Sequence, residues 1–246
     1  MSSELQHRFY PESRLGGFTD LDGTVRFYNR LRALLRATDT VLDLGCGRGS
    51  QADDALPWRR QLAILRGHAA RVIGADIDPA AAGNPYIDEF RQLRAGEPWP
   101  LADSSVDLVL ADFVIEHLEQ PAAFFAELRR VLKSGGYFCA RTSNRWSYIA
   151  LASRLLPQRL HRRALARAQP LRRPEDIFPL RHTCNSVWAL RRALRDQGFD
   201  AVVYGYEAEP SYLGFARLAY RLGVLHQKLA PRFLRVTLFV FGQLRK

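Results

Sequence analysis

The chain has 246 residues, 47 % hydrophobic and 25 % charged, with three cysteines and a formal net charge of +11. This length suits one domain with insertions, and the composition excludes a disordered, collagenous or disulfide-scaffold protein. Cys46, Cys139 and Cys184 form no CxxC pair, which points to a reducing compartment without structural zinc.

From Met1 to Arg14 the chain is polar and lacks the apolar core of a secretory signal, so a cytoplasmic location is expected. Residues 20–37 place Val25, Tyr28, Leu31, Leu34 and Leu35 near helical spacing. Thr40 to Leu44 reads as a buried strand ending in Gly45-Cys46-Gly47-Arg48-Gly49. Residues 51–66 read as helical, interrupted by Pro57. Arg71 to Asp76 is a second strand and Ser105 to Ala111 another. A helix is predicted from Phe124 to Leu132, with Pro121 near its start and Gly135-Gly136 after its end. Tyr137 to Arg141 is a strand, residues 186–197 a helix closed by Gly198, and Ala201 to Tyr206 a further strand. An apolar-striped helix over 212–229 ends at Pro231, and Arg235 to Phe241 is the last strand. No run reaches the roughly 18 apolar residues of a membrane-spanning helix.

Strand–helix alternation predicts an α/β fold, a single domain over 1–246 built on a mostly parallel sheet. Residues 143–184 and 211–230 stand outside the alternation as helical insertions. Both follow strand ends, which puts them over the edge where such sheets bind ligands. Residues 1–37 form an N-terminal helical lid, with Tyr10, Phe18, Thr24 and Tyr28 as the residues that could cover a pocket; core packing is the alternative for these aromatics.

Charge is unevenly distributed. Residues 1–127 carry 13 arginines against 19 acids, residues 128–174 carry 12 basic residues and no acid, and residues 175–246 carry 11 basic residues and 6 acids. A basic second half suits an anionic partner or surface, although a solvated arginine-rich face has the same composition. In the insertion, Ile149, Leu151, Leu155, Leu156, Leu160 and Leu165 interleave with Arg154, Arg159, Arg162, Arg163 and Arg167. This is the pattern of a helix lying on a membrane surface. The two insertions are expected to cover the pocket and to lean on an anionic membrane, peripheral at its inner face, or to grip an anionic substrate. Packing on each other as an ordinary cap is the competing expectation.

The segment Val41 to Gly49 carries the chemistry. A buried strand delivers the chain into a glycine-rich turn, where glycine permits positive φ and close approach of a ligand. A second strand ends in Asp76, where a carboxylate can accept hydrogen bonds from both hydroxyls of a ribose. The third glycine comes two residues after the second, unlike the GxGxxG of dinucleotide binders.

VLDLGCGRG, VIGADIDP, WPLADSSVDLVLADFVIEHL and LRRVLKSGGYF follow one another within residues 38–142. In that order they resemble the motifs of class I S-adenosylmethionine-dependent methyltransferases, most closely the methyltransferase-11 or UbiE-like group. The resemblance implies a Rossmann-like, seven-stranded, mostly parallel sheet with helices on both faces and a reversed last strand. It implies S-adenosyl-L-methionine as cofactor, S-adenosyl-L-homocysteine as product and no metal. Gly45, Cys46 and Gly47 would wrap the methionine part, and Asp43 would hold the amino group, directly or through water. Asp76 would hold the ribose hydroxyls, Ile77 would pack on the adenine, and Ala111, Asp112 and Phe113 would line the amino-acid end. Two features depart from the family pattern. Asp43 and Asp76 lie 33 residues apart, and the position of the usual adenine-binding Asp falls on Ala95 or Gly96.

Methyl transfer from a sulfonium disperses charge, so alignment and water exclusion carry most of the catalysis. A base is needed only where the nucleophile must lose a proton. His117 is the candidate, with Glu116 and Asp112 beside it; imidazole has the ordinary pKa for that task. A packing role for Glu116-His117 is the competing reading. The acceptor implied is a small molecule, glycan or lipid-linked group, methylated at oxygen. RNA methylation, with the basic insertion contacting phosphates, is the alternative. Nucleic acid is the less favoured partner, because no RNA-binding module is recognisable.

Overall fold

A computed structural model describes residues 2–155 and 179–245 of the chain, with side chains for 4–152 and 179–245. Residues 156–178 of the expected basic insertion, with Arg159, Arg162, Arg163 and Arg167, lie outside the described residues.

The strands are β1 (Thr40–Leu44), β2 (Arg71–Asp76), β3 (Glu89–Gln92), β4 (Val106–Asp112), β5 (Leu132–Ser143), β6 (Phe199–Tyr206) and β7 (Thr237–Leu244). They form one sheet in the order β3-β2-β1-β4-β5-β7-β6. The first five are parallel, while β7 runs antiparallel to both β5 and β6. The helices are α1 (Ser2–Phe9), α2 (Gly23–Leu34), α3 (Pro57–Ala63), α4 (Pro121–Val131), α5 (Tyr148–Leu155), α6 (Val187–Asp196) and α7 (Arg217–Leu229). The result is a Rossmann-like α/β fold, with the reversed last strand that the motif resemblance implies. Among the described residues no helix is long and apolar enough to cross a membrane.

Local chemistry explains the main elements. Asp22 caps α2 by accepting from Val25 N at 2.9 Å, and the helix buries Phe27, Tyr28 and Leu31. Pro121 opens α4, whose buried Phe124, Phe125, Leu128 and Val131 follow helical spacing. Ser186 caps α6 through Ala189 N at 3.2 Å. Core clusters lie on the two faces of the sheet. One joins Leu42, Val109, Phe138 and Val240 to α4 and α6, and the other joins Val41, Leu108 and Phe239 to α2 and α3. A third, smaller cluster joins Leu5 and Tyr10 to Tyr220 and Val224, so α1 and α7 pack on each other.

Several expected boundaries are corrected. The helix predicted over 51–66 is a 3-10 turn at Ser50–Asp53 followed by α3, because Pro57 starts the helix rather than interrupting it. The helix expected over 212–229 begins only at Arg217, after a 3-10 turn at Ser211–Leu213. β5 starts at Leu132 rather than Tyr137, with a register shift between Val106 and Leu108 that absorbs the extra residues. The edge strand β3 had no counterpart among the predicted elements, and α1 lies within the expected helical lid, ahead of the one helix placed there over 20–37.

The sheet also sets close backbone approaches. A Cβ at Gly205 would run into the carbonyl oxygen of Arg232, whereas a Cβ at Gly83 meets nothing within 4 Å. Gly205→Ala is therefore expected to cost about 3 kcal/mol, or roughly 10 °C of Tm, and Gly83→Ala to leave thermal unfolding almost unchanged. Calorimetry of the two variants checks this; equal melting temperatures would contradict the packing of β6 under the 231–234 turn.

Candidate active site

Asp43, Asp76 and Asp112 converge at the C-terminal edge of three neighbouring strands, β1, β2 and β4. The glycine loop after β1 takes left-handed backbone at Gly45 (φ 66°), Gly47 (φ 54°) and Gly49 (φ 83°). A Cβ at Gly45 would lie 2.5 Å from Val114 Cγ2, so this glycine permits a close approach to the turn after β4. Above Gly47 there is open space, with nothing within 4 Å of where a Cβ would sit. The loop is tied down from β2 and beyond. Gly45 N donates to Ala75 O at 2.7 Å, Gly47 N to Asp76 Oδ2 at 2.9 Å, and Asn84 Nδ2 to Cys46 O at 2.9 Å.

The three carboxylates have different surroundings. Asp76 is buried, and its Oδ1 accepts from Asp78 N at 2.9 Å, so each carboxylate oxygen holds one backbone N–H. Asp112 is gripped by Arg141, with Nε to Oδ1 at 2.5 Å and Nη2 to Oδ2 at 2.8 Å, while Tyr28 Oη donates to Oδ2 at 2.9 Å. Burial works against the Arg141 charge, but Asp112 outweighs it and holds the guanidinium firmly protonated. No hydrogen bond from a described residue reaches the carboxylate of Asp43. Burial, reinforced by the nearby charges of Asp112 and Asp76, pushes its pKa up to about 7. This site therefore holds more negative charge than the protein itself neutralises. It suits a ligand that brings a cation to Asp43 and hydroxyls to Asp76.

Arg141 also organises the wall facing α2. Its Nη1 donates to Thr24 Oγ1 at 2.9 Å, and its guanidinium lies 5.1 Å from the ring centre of Phe113 and 5.5 Å from that of Tyr28. Phe113 adopts φ 56°, a costly conformation for a non-glycine residue, and stays 43 % exposed. Ile77 is 55 % exposed at the end of β2, whereas Ala111 is fully buried within β4. Of the expected lid residues, Thr24 and Tyr28 reach this wall. Tyr10 packs with α7, and Phe18 stacks on Trp58 with ring centres 5.1 Å apart.

The turn after β4 fastens the return limb of the insertion. His117 Nδ1 lies 2.9 Å from Pro179 O; a carbonyl can only accept, so this nitrogen carries the proton. Arg181 N and His182 N both donate to Glu116 O, and Thr183 Oγ1 donates to Leu118 O. Burial raises the Glu116 carboxyl, which accepts from Thr142 Oγ1 at 2.5 Å; Asn185 Nδ2 in turn donates to Thr142 Oγ1 at 2.7 Å. Glu116 is thus a buried tie between β4, β5 and the 181–185 segment. Cys46 is a buried thiol, its pKa raised by burial and by Asp43, which disfavours the nucleophilic thiolate.

Motif reading did not single out Arg141, Asn84, Thr142 or Asn185 as site residues. An arginine ending the apolar strand Tyr137 to Arg141 was a usable signal. Asn84 supports a loop 38 residues away, a contact without local trace.

Residues 42–140 match the family model of the methyltransferase domain. Over 126 residues the chain is 38 % identical to a probable S-adenosylmethionine-dependent methyltransferase of Mycolicibacterium smegmatis, covering 49 % of this chain and 44 % of that protein. It is 30 % identical over 107 residues to malonyl-[acyl-carrier protein] O-methyltransferase of Hahella chejuensis, covering 42 % and 36 % respectively. The matches thus span less than half the length of these relatives. In fold, it is similar to an S-adenosylmethionine-dependent methyltransferase from Archaeoglobus fulgidus, with a TM-score of 0.53, 18 % identity and coverage of 96 % and 99 %. Together the motifs, the sheet order and these matches identify residues 42–140 as a methyltransferase domain of the class I, S-adenosylmethionine-dependent type.

Proposed function

We propose that the protein transfers a methyl group from S-adenosylmethionine to an oxygen of a small or lipid-linked acceptor. The observation that carries the cofactor reading is the Asp43 carboxylate, which no described residue hydrogen-bonds, beside a left-handed glycine loop and the buried Asp76. When bound, the cofactor supplies an electrophilic methyl on a sulfonium. Gly45, Cys46 and Gly47 wrap its methionine part, the open space above Gly47 giving it room. Asp43 meets the ammonium group. Asp76, held in place by Gly47 N and Asp78 N, keeps lone pairs for the ribose hydroxyls. Ile77 offers an exposed apolar surface to the adenine, and Phe113 borders the methionine end. With neither Ala95 nor Gly96 bearing a carboxylate, the adenine amine falls to backbone groups.

Asp112 is held by Arg141 and Tyr28, so it acts as a positioning residue rather than a base. His117, held through Nδ1 on Pro179 O, is the residue we assign to accept a proton from an acceptor hydroxyl. The N-terminal segment 1–37, through Thr24 and Tyr28 beside the Arg141–Asp112 pair, is the part we assign to the cover that excludes water. The acyl-carrier O-methyltransferase relative supports oxygen as the atom methylated.

Cofactor affinity follows from the Asp43 pKa. The ionised carboxylate binds the ammonium, and the proton bound below about pH 7 must be displaced. The Kd for S-adenosylmethionine is expected to tighten about tenfold per pH unit up to pH 7 and to level off above it. Asp43→Asn should bind weakly with a flat profile; isothermal titration across pH checks both. Asp76→Ala should weaken binding about a hundredfold through loss of hydrogen bonds to a charged acceptor. Tritiated S-adenosylmethionine added to fractionated cell extract tests the acceptor. Label in the organic-extractable or low-mass fraction, absent with Asp76→Ala, is the expected result. Label that enters RNA and is lost with ribonuclease would overturn the acceptor reading while keeping the cofactor reading.

A further inference from the structure

Helix α7 presents two opposite apolar faces. Tyr220, Gly223 and Val224 are buried, and Tyr220 and Val224 pack on Leu5 and Tyr10. On the other side Leu218, Leu222, Leu225 and Leu229 are 69 %, 57 %, 53 % and 71 % exposed. At about 100° per residue these four leucines fall within roughly 60° of one another, directly opposite the buried face. The exposed Arg217, Arg221 and Lys228 all fall along one flank of that stripe. Phe215, 61 % exposed, extends it at the helix start.

We propose that this outward face of α7 is a docking surface for an anionic phospholipid bilayer, with the helix lying in the plane of the interface. An apolar stripe bordered by cations is the signature of an interfacial helix, whose leucines enter the acyl boundary while the cations meet headgroups. Charge selects this occupant. Residues 210–246 contain seven Lys and Arg and no Asp or Glu, which suits an anionic surface and would set like charges against each other between two copies of the chain. Size agrees. A 13-residue helix offers a strip about 20 Å long and about 10 Å wide, on the order of 200 Å², far less than the roughly 800 Å² per partner of a stable protein interface. None of these residues belongs to the glycine loop or to the carboxylate cluster, so the role is independent of which group is methylated.

The full chain should float with vesicles of phosphatidylcholine containing one-third phosphatidylglycerol, release as salt is raised, and ignore vesicles of phosphatidylcholine alone. Leu222→Ser with Leu225→Ser should weaken partitioning about tenfold or more. Neutralising Arg217, Arg221 and Lys228 to Gln should weaken it about a hundredfold. Both variants should keep the wild-type melting temperature and cofactor affinity, because all five side chains are exposed and none belongs to the glycine loop or the carboxylate cluster. A folded wild type that ignores anionic vesicles, binds both vesicle types equally, or binds undiminished in both variants would overturn the proposal. So would a dimer in light scattering that the leucine variant abolishes, which would give the face to a second copy. Failed methyl transfer with intact vesicle binding would count against the reaction alone.

Discussion

Negative charge at the end of the sheet is the constraint around which the site is arranged. Parallel strands β2, β1 and β4 bring Asp76, Asp43 and Asp112 to one edge, where Asp76 is buried and Asp43 and Asp112 are half-buried. The protein answers two of them. Asp112 has Arg141 and Tyr28, and Asp76 has two backbone N–H groups. Asp43 has neither, and its raised pKa records the cost of ionising it beside two other carboxylates. A carboxylate kept in this condition costs stability, a common signature of a site shaped for a charged ligand.

The elements outside the sheet follow from the same edge. Thr24 and Tyr28 of α2 close on the Arg141–Asp112 pair, and the 181–185 limb is pinned to the turn after β4 through Glu116, His117 and Leu118. The ring of Tyr148 in α5 meets that of His226 in α7 at 4.8 Å, and α7 packs on α1. Segments remote in sequence therefore join beside the last three strands. Both apolar faces of α7 arise here, one bound to α1 and one left to the outside.

Much of this was legible in the sequence, and the reason is local chemistry. The buried strands β1, β2 and β4 announce themselves as short apolar runs, and the glycine loop needs positive φ that its residue types supply. Asp43, Asp76 and Asp112 were visible as acids at or near strand ends. Edge strand β3 was not, because Glu89-Phe90-Arg91-Gln92 has no apolar alternation and forms only through pairing with β2. The Arg141 clamp and the Glu116–Thr142–Asn185 tie join residues 26 to 117 positions apart, and no window of sequence contains them. The helix after β6 was foreseen too long because Ser211–Leu213 forms a 3-10 turn and Gly214 to Ala216 separate it from α7.

The most direct test is the ionisation of Asp43 itself, followed by carbon-13 NMR of its carboxyl in the free protein and with saturating S-adenosylmethionine. The account predicts titration near pH 7 in the free protein and a fall into the ordinary carboxylate range, about 4, once the ammonium group is in place. A carboxyl that titrates at the same pH in both states would contradict the assignment of Asp43 as the cation's partner.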